Sequence, residues 1–480
     1  MNVVGTDLFT NPLTAVVWIL YAGAIITTIA VVILDNRNPV KTLAWVLILA
    51  FLPLVGLVFY FFFGRDIRKE KLIGKKGYVH LLKHPMNEFQ QQQAFAVLDE
   101  SHSVMRFFLH VNHALPFAGN SVKIHTDGYT MLRGLLKAIA SAKHHIHMQF
   151  YIIEDDPVGR LIRDALIDKA REGVEVRFLY DDVGCWNLPT NFVESFLNEG
   201  IEIRSFLKVR FPHFTSKVNY RNHRKIVVVD GTIGFVGGMN LAVRYVKGLY
   251  WGNWKDLHVQ LEGKAVYGLQ SSFLKDWYAV DRSLITSSSY YPPITSQGES
   301  LVQIVTSDPI GEWRDIMQGL LVIITSARNY LYIQSPYLLP TEPILWALKT
   351  AALAGVDVRI MIPSRADSRI THLGTLSYLK ELMESGIKIY LYEGGFLHSK
   401  LLVCDDLLCT VGSTNMDFRS FEHNFEVNAF MYNRALAQKL KTIFLNDQKD
   451  AVLVQKKDWS RRSRLQKVQE SLVRLFAPLL

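Results

Sequence analysis

Cysteine is nearly missing from this chain: Cys185, Cys404 and Cys409 are the only three in 480 residues. Three thiols cannot form a disulfide framework, and their scarcity fits a reducing compartment. No CxxC and no Cys/His spacing of the zinc-binding kind occurs. Charged residues are only 20% of the chain while apolar ones are 49%, which excludes a disordered chain, a coiled coil and a collagen-like repeat. Negative charge is missing altogether from Ile203 to Val229, and across the chain 53 Lys and Arg face 44 Asp and Glu. A net charge of +9 suggests an anionic partner: nucleic acid, anionic lipid or a phosphate ester.

Charge is also absent from two long runs near the start. Leu13 to Leu34 and Thr42 to Phe63 are each 22 residues without a charge, and each is long enough to cross about 30 Å of hydrocarbon as a helix. The polar stretch Asp35 to Lys41 between them makes residues 1–64 a transmembrane hairpin. Trp18, Tyr21, Trp45 and Tyr60 are candidate interfacial anchors. The first run is too long for a cleaved signal and lacks a basic leader. Pro53 interrupts the second run, so a shallow hairpin that does not cross is the alternative. Six basic residues between Arg65 and Lys76 against Arg37 and Lys41 in the loop place the C-terminal side in the cytoplasm.

The remainder is one unit written twice. RNHRKIVVVDGTIGFVGGMN (Arg221 to Asn240) aligns without a gap on FLHSKLLVCDDLLCTVGSTN (Phe396 to Asn415). His223, Lys225, Asp230, Gly237 and Asn240 fall opposite His398, Lys400, Asp405, Gly412 and Asn415. Upstream, EGVEVRFLYDD echoes AGVDVRIMIPS, and EGIEIRSF echoes SGIKIYLY. In each copy, β-rich runs alternate with helical ones, and IVVV and LLVC are apolar throughout, as in strands buried on both faces. The fold class is α/β: two tandem sandwich halves sharing one site. The halves span 119–286 and 300–450, joined by a Ser/Pro/Gly-rich linker at 287–299. A connector (65–118) and a basic amphipathic tail (451–480) flank them. The tail either lies on a membrane surface or docks on its own domain.

Residues two apart on a strand face the same side. His223 and Lys225 therefore project together, as do His398 and Lys400. Asp230 and Asp405 have the opposite parity and fall where their strands end, which suits pinning a turn. The glycines that follow admit close backbone approach, and Asn240 and Asn415 offer amide donors. Each half thus presents an imidazole, an ammonium and an amide. One histidine can attack phosphorus and the other can shuttle the proton of the leaving and entering oxygens. The lysines and asparagines stabilise phosphoryl charge in place of a metal. A histidine base needs a carboxylate or a carbonyl on its other nitrogen; Glu426, 28 residues after His398, is a candidate, with Asp256 as its looser first-half counterpart, and ordinary ladder residues in β-like segments are the alternative for both. His144, His145 and His147 look metal-like, but H-x-H without a carboxylate cluster reads as an exposed strand face.

The paired H-x-K-x₄-D motifs with G-G/S-x-N tails resemble the phospholipase D superfamily over about residues 120 to 450. The hairpin, RNHRKIVVVDG, FVGGMN and the final WSRRSRL…LFAPLL are more specifically similar to bacterial cardiolipin synthases. The resemblance implies a cofactor-free and metal-free transphosphatidylation, in which two phosphatidylglycerols become cardiolipin and glycerol. It implies a phosphohistidine at His223, acid/base work at His398, phosphate binding by Lys225, Lys400, Asn240 and Asn415, and motif carboxylates at Asp230 and Asp405. It also implies a multi-pass protein of the bacterial cell membrane with its catalytic region cytoplasmic. Two departures stand out: Val243 and Arg244 occupy positions where the family often has an acid, and WKDLH replaces the commoner WRDTH. The competing readings are a hydrolase with the same site, a phospholipase or a nuclease, and a non-catalytic lipid-binding protein. The basic, aromatic stretch Ile203 to Val229 suits an anionic bilayer or single-stranded nucleic acid. The hairpin favours lipid over nucleic acid, by holding the site beside its substrate.

Overall fold

The computed structural model describes residues 12–34, 39–60, 64, 103–209 and 219–479. The loop residues 35–38, the basic flank after residue 64, the connector up to residue 102 and residues 210–218 of the basic stretch lie outside them. The described residues fall into an N-terminal apolar unit and an α/β unit.

In the apolar unit, α1 (Pro12–Leu34) is 23 residues without a charge, long enough to cross a bilayer. The second apolar run does not form the single helix expected. It breaks into α2 (Pro39–Phe51) and α3 (Pro53–Phe59), with Leu52 outside helical conformation at φ −130°. Pro53 has no N–H to continue the ladder and its ring crowds the preceding turn. Among the described residues α1 alone has spanning length.

The α/β unit repeats one strand pattern. The first half supplies β1 (Pro116–His125), β2 (His145–Phe150), β3 (Glu175–Asp181), β4 (Glu202–Phe206), β5 (Ile226–Val229), β6 (Ile233–Gly237) and β7 (His258–Glu262). The second supplies β8 (Ser300–Ser307), β9 (Tyr330–Gln334), β10 (Asp357–Pro363), β11 (Lys388–Tyr392), β12 (Leu401–Cys404), β13 (Leu408–Gly412), β14 (Glu426–Met431) and a final β15 (Ala451–Leu453). The first half orders its strands 1-7-6-5-2-3-4; the second orders them 8-14-13-12-9-10-11-15. Each of β8 to β14 is the counterpart of the strand seven earlier, and β15 is an extra edge strand beside β11 with no first-half equivalent. Antiparallel pairing of β1 with β8 joins the halves into one mixed sheet.

Both faces of that sheet are covered, which is why its central strands are apolar throughout. Ile226 and Val228 of β5 pack with the helix Val266–Asp281, while Val227 and Val229 pack with helices Gly128–Ser141 and Pro157–Arg171. Leu401 and Val403 of β12 share the first of these cores, which also holds residues of the helix Arg434–Asp447. That core draws on both halves, so they are one folding body rather than two tethered ones.

His145 and His147 are not on an exposed face. Both are fully buried, bridged by Gln270, whose amide lies 3.1 Å from His145 Nε2 and 2.7 Å from His147 Nδ1. The helix Val266–Asp281 covers this side of β2, so H-x-H here is core chemistry. Burial pushes His145 to about 3, His147 to about 4 and His258 to about 3. An unfolded chain, with histidines near 6.5, binds more protons than the folded one below that pH. Stability contributed by these neutral imidazoles is therefore complete above about pH 6.5 and falls as pH drops toward 4, by up to about 1.4 kcal/mol per pH unit for each. The urea midpoint of the detergent-solubilised protein is expected to fall steadily from about pH 7 to about pH 5. A flat midpoint over that interval would show that the three imidazoles are protonated in the folded state.

Candidate active site

His223 and Lys225 lie on the extended segment entering β5, and His398 and Lys400 on the one entering β12. What positions them is an exchange between the halves. Gly395–Leu397, just before His398, pairs in parallel with Asn253–Lys255, just before Asp256. Asn222, just before His223, forms a parallel bridge with Phe425, just before Glu426. The backbone N–H of His398 donates to the Lys255 carbonyl at 2.7 Å, and that of His223 to the Phe425 carbonyl at 2.9 Å. Each histidine is thus set beside a carboxylate of the other half.

His223 Nδ1 lies 3.1 Å from both Glu426 oxygens. His398 Nδ1 lies 2.6 Å from Asp256 Oδ2. Each carboxylate therefore meets the histidine of the other half, a pairing that the sequence leaves open. Glu426 also accepts from Ser413 Oγ and from Asn424 Nδ2, and Asp256 from the Leu257 N–H at 2.7 Å. Fully engaged, both carboxylates fix the imidazole rings with Nδ1 inward, leaving each Nε2 as the nitrogen for chemistry.

The lysines are folded back beside their own histidines. Lys225 Nζ donates to the His223 carbonyl at 2.7 Å, and Lys400 Nζ to the His398 carbonyl at 2.5 Å. Aromatic rings form the walls: Tyr151 is 5.0 Å from His223 between ring centroids, and Trp254 and Phe396 are 5.1 and 5.6 Å from His398. Both histidines keep a small opening, at 8% and 7% exposure.

These groups share one field. Burial pushes His223 to about 4 against the pull of Glu426, with Lys225 adding to the fall. Burial and then Lys400 push His398 to about 3 against Asp256. Burial lowers Lys400 to about 8 and takes Lys225 well below its ordinary value. Burial alone would raise the carboxyls. For Asp256, Lys400 and His398 outweigh it; for Glu426, His223 and Lys225 do. The site thus holds neutral imidazoles and two ionised carboxylates among buried amines. That is an unbalanced arrangement which an entering anion would complete.

Asp230 and Asp405 lie at the far ends of β5 and β12 from the histidines. The Asp230 carboxylate accepts the N–H groups of Lys143, His144 and His145 at 2.8 to 2.9 Å. Asp405 accepts those of Arg328, Asn329 and Tyr330 at 2.6 to 2.8 Å. Both sit at positive φ, 50° and 53°, in the turns leaving their strands. Each therefore locks its hairpin to the start of the neighbouring strand, β2 or β9, as the parity argument anticipates. Asp405→Ala strands the part-buried Tyr330 N–H, leaves those of exposed Arg328 and Asn329 to water and places alanine at positive φ, and should cost about 1 to 3 kcal/mol, while Asp405→Asn, which tolerates positive φ and keeps an acceptor, should cost less. The check is a denaturation midpoint beside kcat per folded molecule; a lost kcat at full stability would place Asp405 in the chemistry instead.

Asn240 is buried, donating to the Tyr245 hydroxyl at 2.6 Å and accepting from the Ile152 N–H at 3.1 Å. Its amide orients Tyr245, whose ring flanks His398 at 6.1 Å. Asn415 is buried too, its N–H donating to Ser420 Oγ at 3.1 Å. Tyr151, Tyr245, Trp254 and Ser413 escaped sequence reasoning. For Ser413 a signal existed: it replaces Gly238 in the aligned motif. A Cβ at Gly238 would meet Asp256 Oδ1 at 2.2 Å, whereas the Ser413 hydroxyl is needed to hold Glu426.

The family described as "Cardiolipin synthase, PLD-like domain" covers residues 135–277 and 320–448, one stretch in each half. The family described as "Phospholipase_D-nuclease N-terminal" covers residues 23–65. A cardiolipin synthase of Halalkalibacterium halodurans is 40% identical over 477 residues, covering 96% of this chain and 95% of that one. One of Alkalihalophilus pseudofirmus is 39% identical over 476 residues with the same coverage. This chain belongs to the phospholipase D-like cardiolipin synthase family. A solved phosphatidylserine synthase from Haemophilus influenzae shares the fold at a TM-score of 0.59 and 14% identity, covering 78% of this chain and 97% of that one.

The two departures from the cardiolipin synthase pattern have structural counterparts. In the second half Asp417 caps the helix Phe418–Glu422 through the Ser420 N–H at 2.7 Å. The equivalent first-half residue is Ala242, and Asp156 supplies the missing acceptor, taking the Val243 N–H. Arg244 pairs with Glu154 and stacks over Tyr245 at 5.4 Å and Trp254 at 6.0 Å, backing the wall beside His398. Lys255 of WKDLH binds Asp447 at 2.8 Å, a further tie between the halves.

Proposed function

We propose that the chain is a membrane-bound phosphatidyltransferase that converts two phosphatidylglycerols to cardiolipin and glycerol through a histidine-linked intermediate. The crossed His–carboxylate pairs carry this reading, because they put two oriented imidazoles, one from each half, into one pocket of buried amines. His223 Nε2 attacks the phosphorus of the first lipid as the bond to its headgroup glycerol breaks. His398 gives that leaving oxygen a proton. The phosphatidyl group then sits on His223, and His398 Nε2 takes the proton of a headgroup hydroxyl on the second lipid as its oxygen attacks phosphorus. The P–N bond breaks and the site is restored. A phosphodiester anion between Lys225 and Lys400 offsets their charge, so it raises the proton affinity of His398 when an acid is required.

We also assign α1 and the broken segment α2–α3 to a membrane hairpin that keeps the α/β unit on the cytoplasmic side. The apolar length of α1 and the basic residues after residue 64 support this orientation. The substrate is anionic lipid, and neither cofactor nor nucleic acid enters the scheme.

The test is a product assay with labelled phosphatidylglycerol in liposomes and excess EDTA, resolved by mass. Cardiolipin and glycerol in equal amounts are expected. Phosphatidic acid alone would make water the acceptor and the protein a hydrolase, and no product with any lipid would leave the pocket a binding site.

A further inference from the structure

The amphipathicity of the helix Arg464–Arg474 is inside out. Its polar side faces the protein. Arg474 bonds Glu381 at 2.9 Å and lies over the Tyr378 ring, both on the helix Arg369–Glu384, and buried Glu470 pairs with Arg462. Its apolar side faces away. Leu465, Val468 and Leu472, with Leu475 and Phe476 just beyond, are each between 54 and 74% exposed. At 100° per residue these five side chains fall within one stripe about 100° wide. The arrangement is not that of a loose tail, because Ala477 is buried in the second-half core immediately afterwards. An apolar stripe held outward at both ends is a surface awaiting a partner.

Charge identifies the partner. Seven Lys and Arg against two acids lie between Lys456 and Arg474. One of the acids, Glu470, is consumed by Arg462 inside. Lys456, Lys457, Arg461, Arg464 and Lys467 are exposed. Cations bordering an apolar stripe match a bilayer surface bearing anionic headgroups, where side chains enter the acyl boundary and basic residues meet phosphate. A second copy of the chain would bring the same cations against themselves.

We propose that this C-terminal helix is an interfacial membrane anchor that seats the α/β unit on a bilayer rich in anionic phospholipid. The supporting helix links the anchor to the active site. Arg365, four residues before that helix, lies over Trp251 at 4.7 Å and bonds the Tyr250 hydroxyl at 3.0 Å. Trp251 in turn packs 6.3 Å from Phe396, two residues before His398. Tyr250 and Ile370 are exposed on this route. Seating the helix therefore also sets the distance of the pocket mouth from the lipid. The choice of an anionic bilayer rests on the proposed lipid substrate as well as on these charges.

The test uses the full chain in vesicles, where Leu472→Cys gives one reactive thiol because Cys185, Cys404 and Cys409 are buried. An environment-sensitive fluorophore at that position should be quenched by doxyl-labelled lipid in phosphatidylglycerol-containing vesicles. In pure phosphatidylcholine, or in high salt, quenching should weaken. A probe that stays water-exposed in anionic vesicles overturns the proposal, as does one that self-quenches between copies instead. In parallel, Leu465→Ser/Val468→Ser/Leu472→Ser should lower turnover about tenfold in vesicles while leaving it unchanged in mixed micelles, where no surface need be found. Equal turnover in vesicles also overturns it. If the unaltered protein transfers no phosphatidyl group in micelles, the proposed reaction fails, while the quenching result still judges the anchor.

Discussion

His223→Asn and His398→Asn should each lower turnover of phosphatidylglycerol by about 10⁴-fold or more, because one removes the nucleophile and the other the proton carrier. Their roles separate with an activated lipid whose headgroup is p-nitrophenol. That leaving group needs no proton, so His398→Asn should still release about one equivalent per site in a burst and stop. The stalled protein should carry a phosphatidyl adduct on His223, visible by intact mass and labile to acid. His223→Asn should give neither burst nor adduct. The mirror result, a burst only in His223→Asn, would assign the nucleophile to His398. A burst in both variants would rule out a single shared pocket.

The crossed carboxylates give the second large effect. Glu426→Gln and Asp256→Asn keep shape but lose the charge that holds each ring's tautomer. A change of this kind at an oriented histidine typically costs about 10² to 10⁴ in kcat. Because Glu426 serves His223, Glu426→Gln should slow the burst with the activated lipid. Asp256 serves His398, so Asp256→Asn should leave the burst intact and slow only turnover. Pairing within each half predicts the reverse, and finding it would contradict the 3.1 and 2.6 Å contacts that define the site. His223→Asn/Glu426→Gln should be no worse than His223→Asn alone, since the carboxylate acts only through the ring it holds.

Much of this was legible beforehand. The internal repeat, with His223/His398, Lys225/Lys400 and Asp230/Asp405 in register, foretold two equivalent halves, and seven strands of each half follow the same order. Strand parity separated Asp230 and Asp405 from the histidines, and their carboxylates indeed bind turn backbone. Local chemistry suffices for such statements: a period, a side-chain direction, a turn residue. The second apolar run has spanning length by composition, but Pro53 within it already marks the interruption, because a missing N–H acts on the helical ladder itself. His145 and His147 were misread because exposure depends on what packs above a strand, and the helix that covers them starts more than a hundred residues later.

The sequence by itself determined the chemical inventory: two imidazoles, two amines, two carboxylates, two long apolar runs and a basic amphipathic tail. Only the tertiary structure decided how they are wired. The partners are 203 residues apart for His223 with Glu426 and 142 for His398 with Asp256. No local rule ranks such contacts against the nearer pairing within a half. The parallel pairing of Gly395–Leu397 with Asn253–Lys255, and the Asn222–Phe425 bridge, settle it by fixing backbone across the half boundary. The direction of the C-terminal stripe is likewise tertiary. A helical pattern shows that one side is apolar, but the ion pair of Arg474 with Glu381 and the burial of Ala477 decide that this side faces outward.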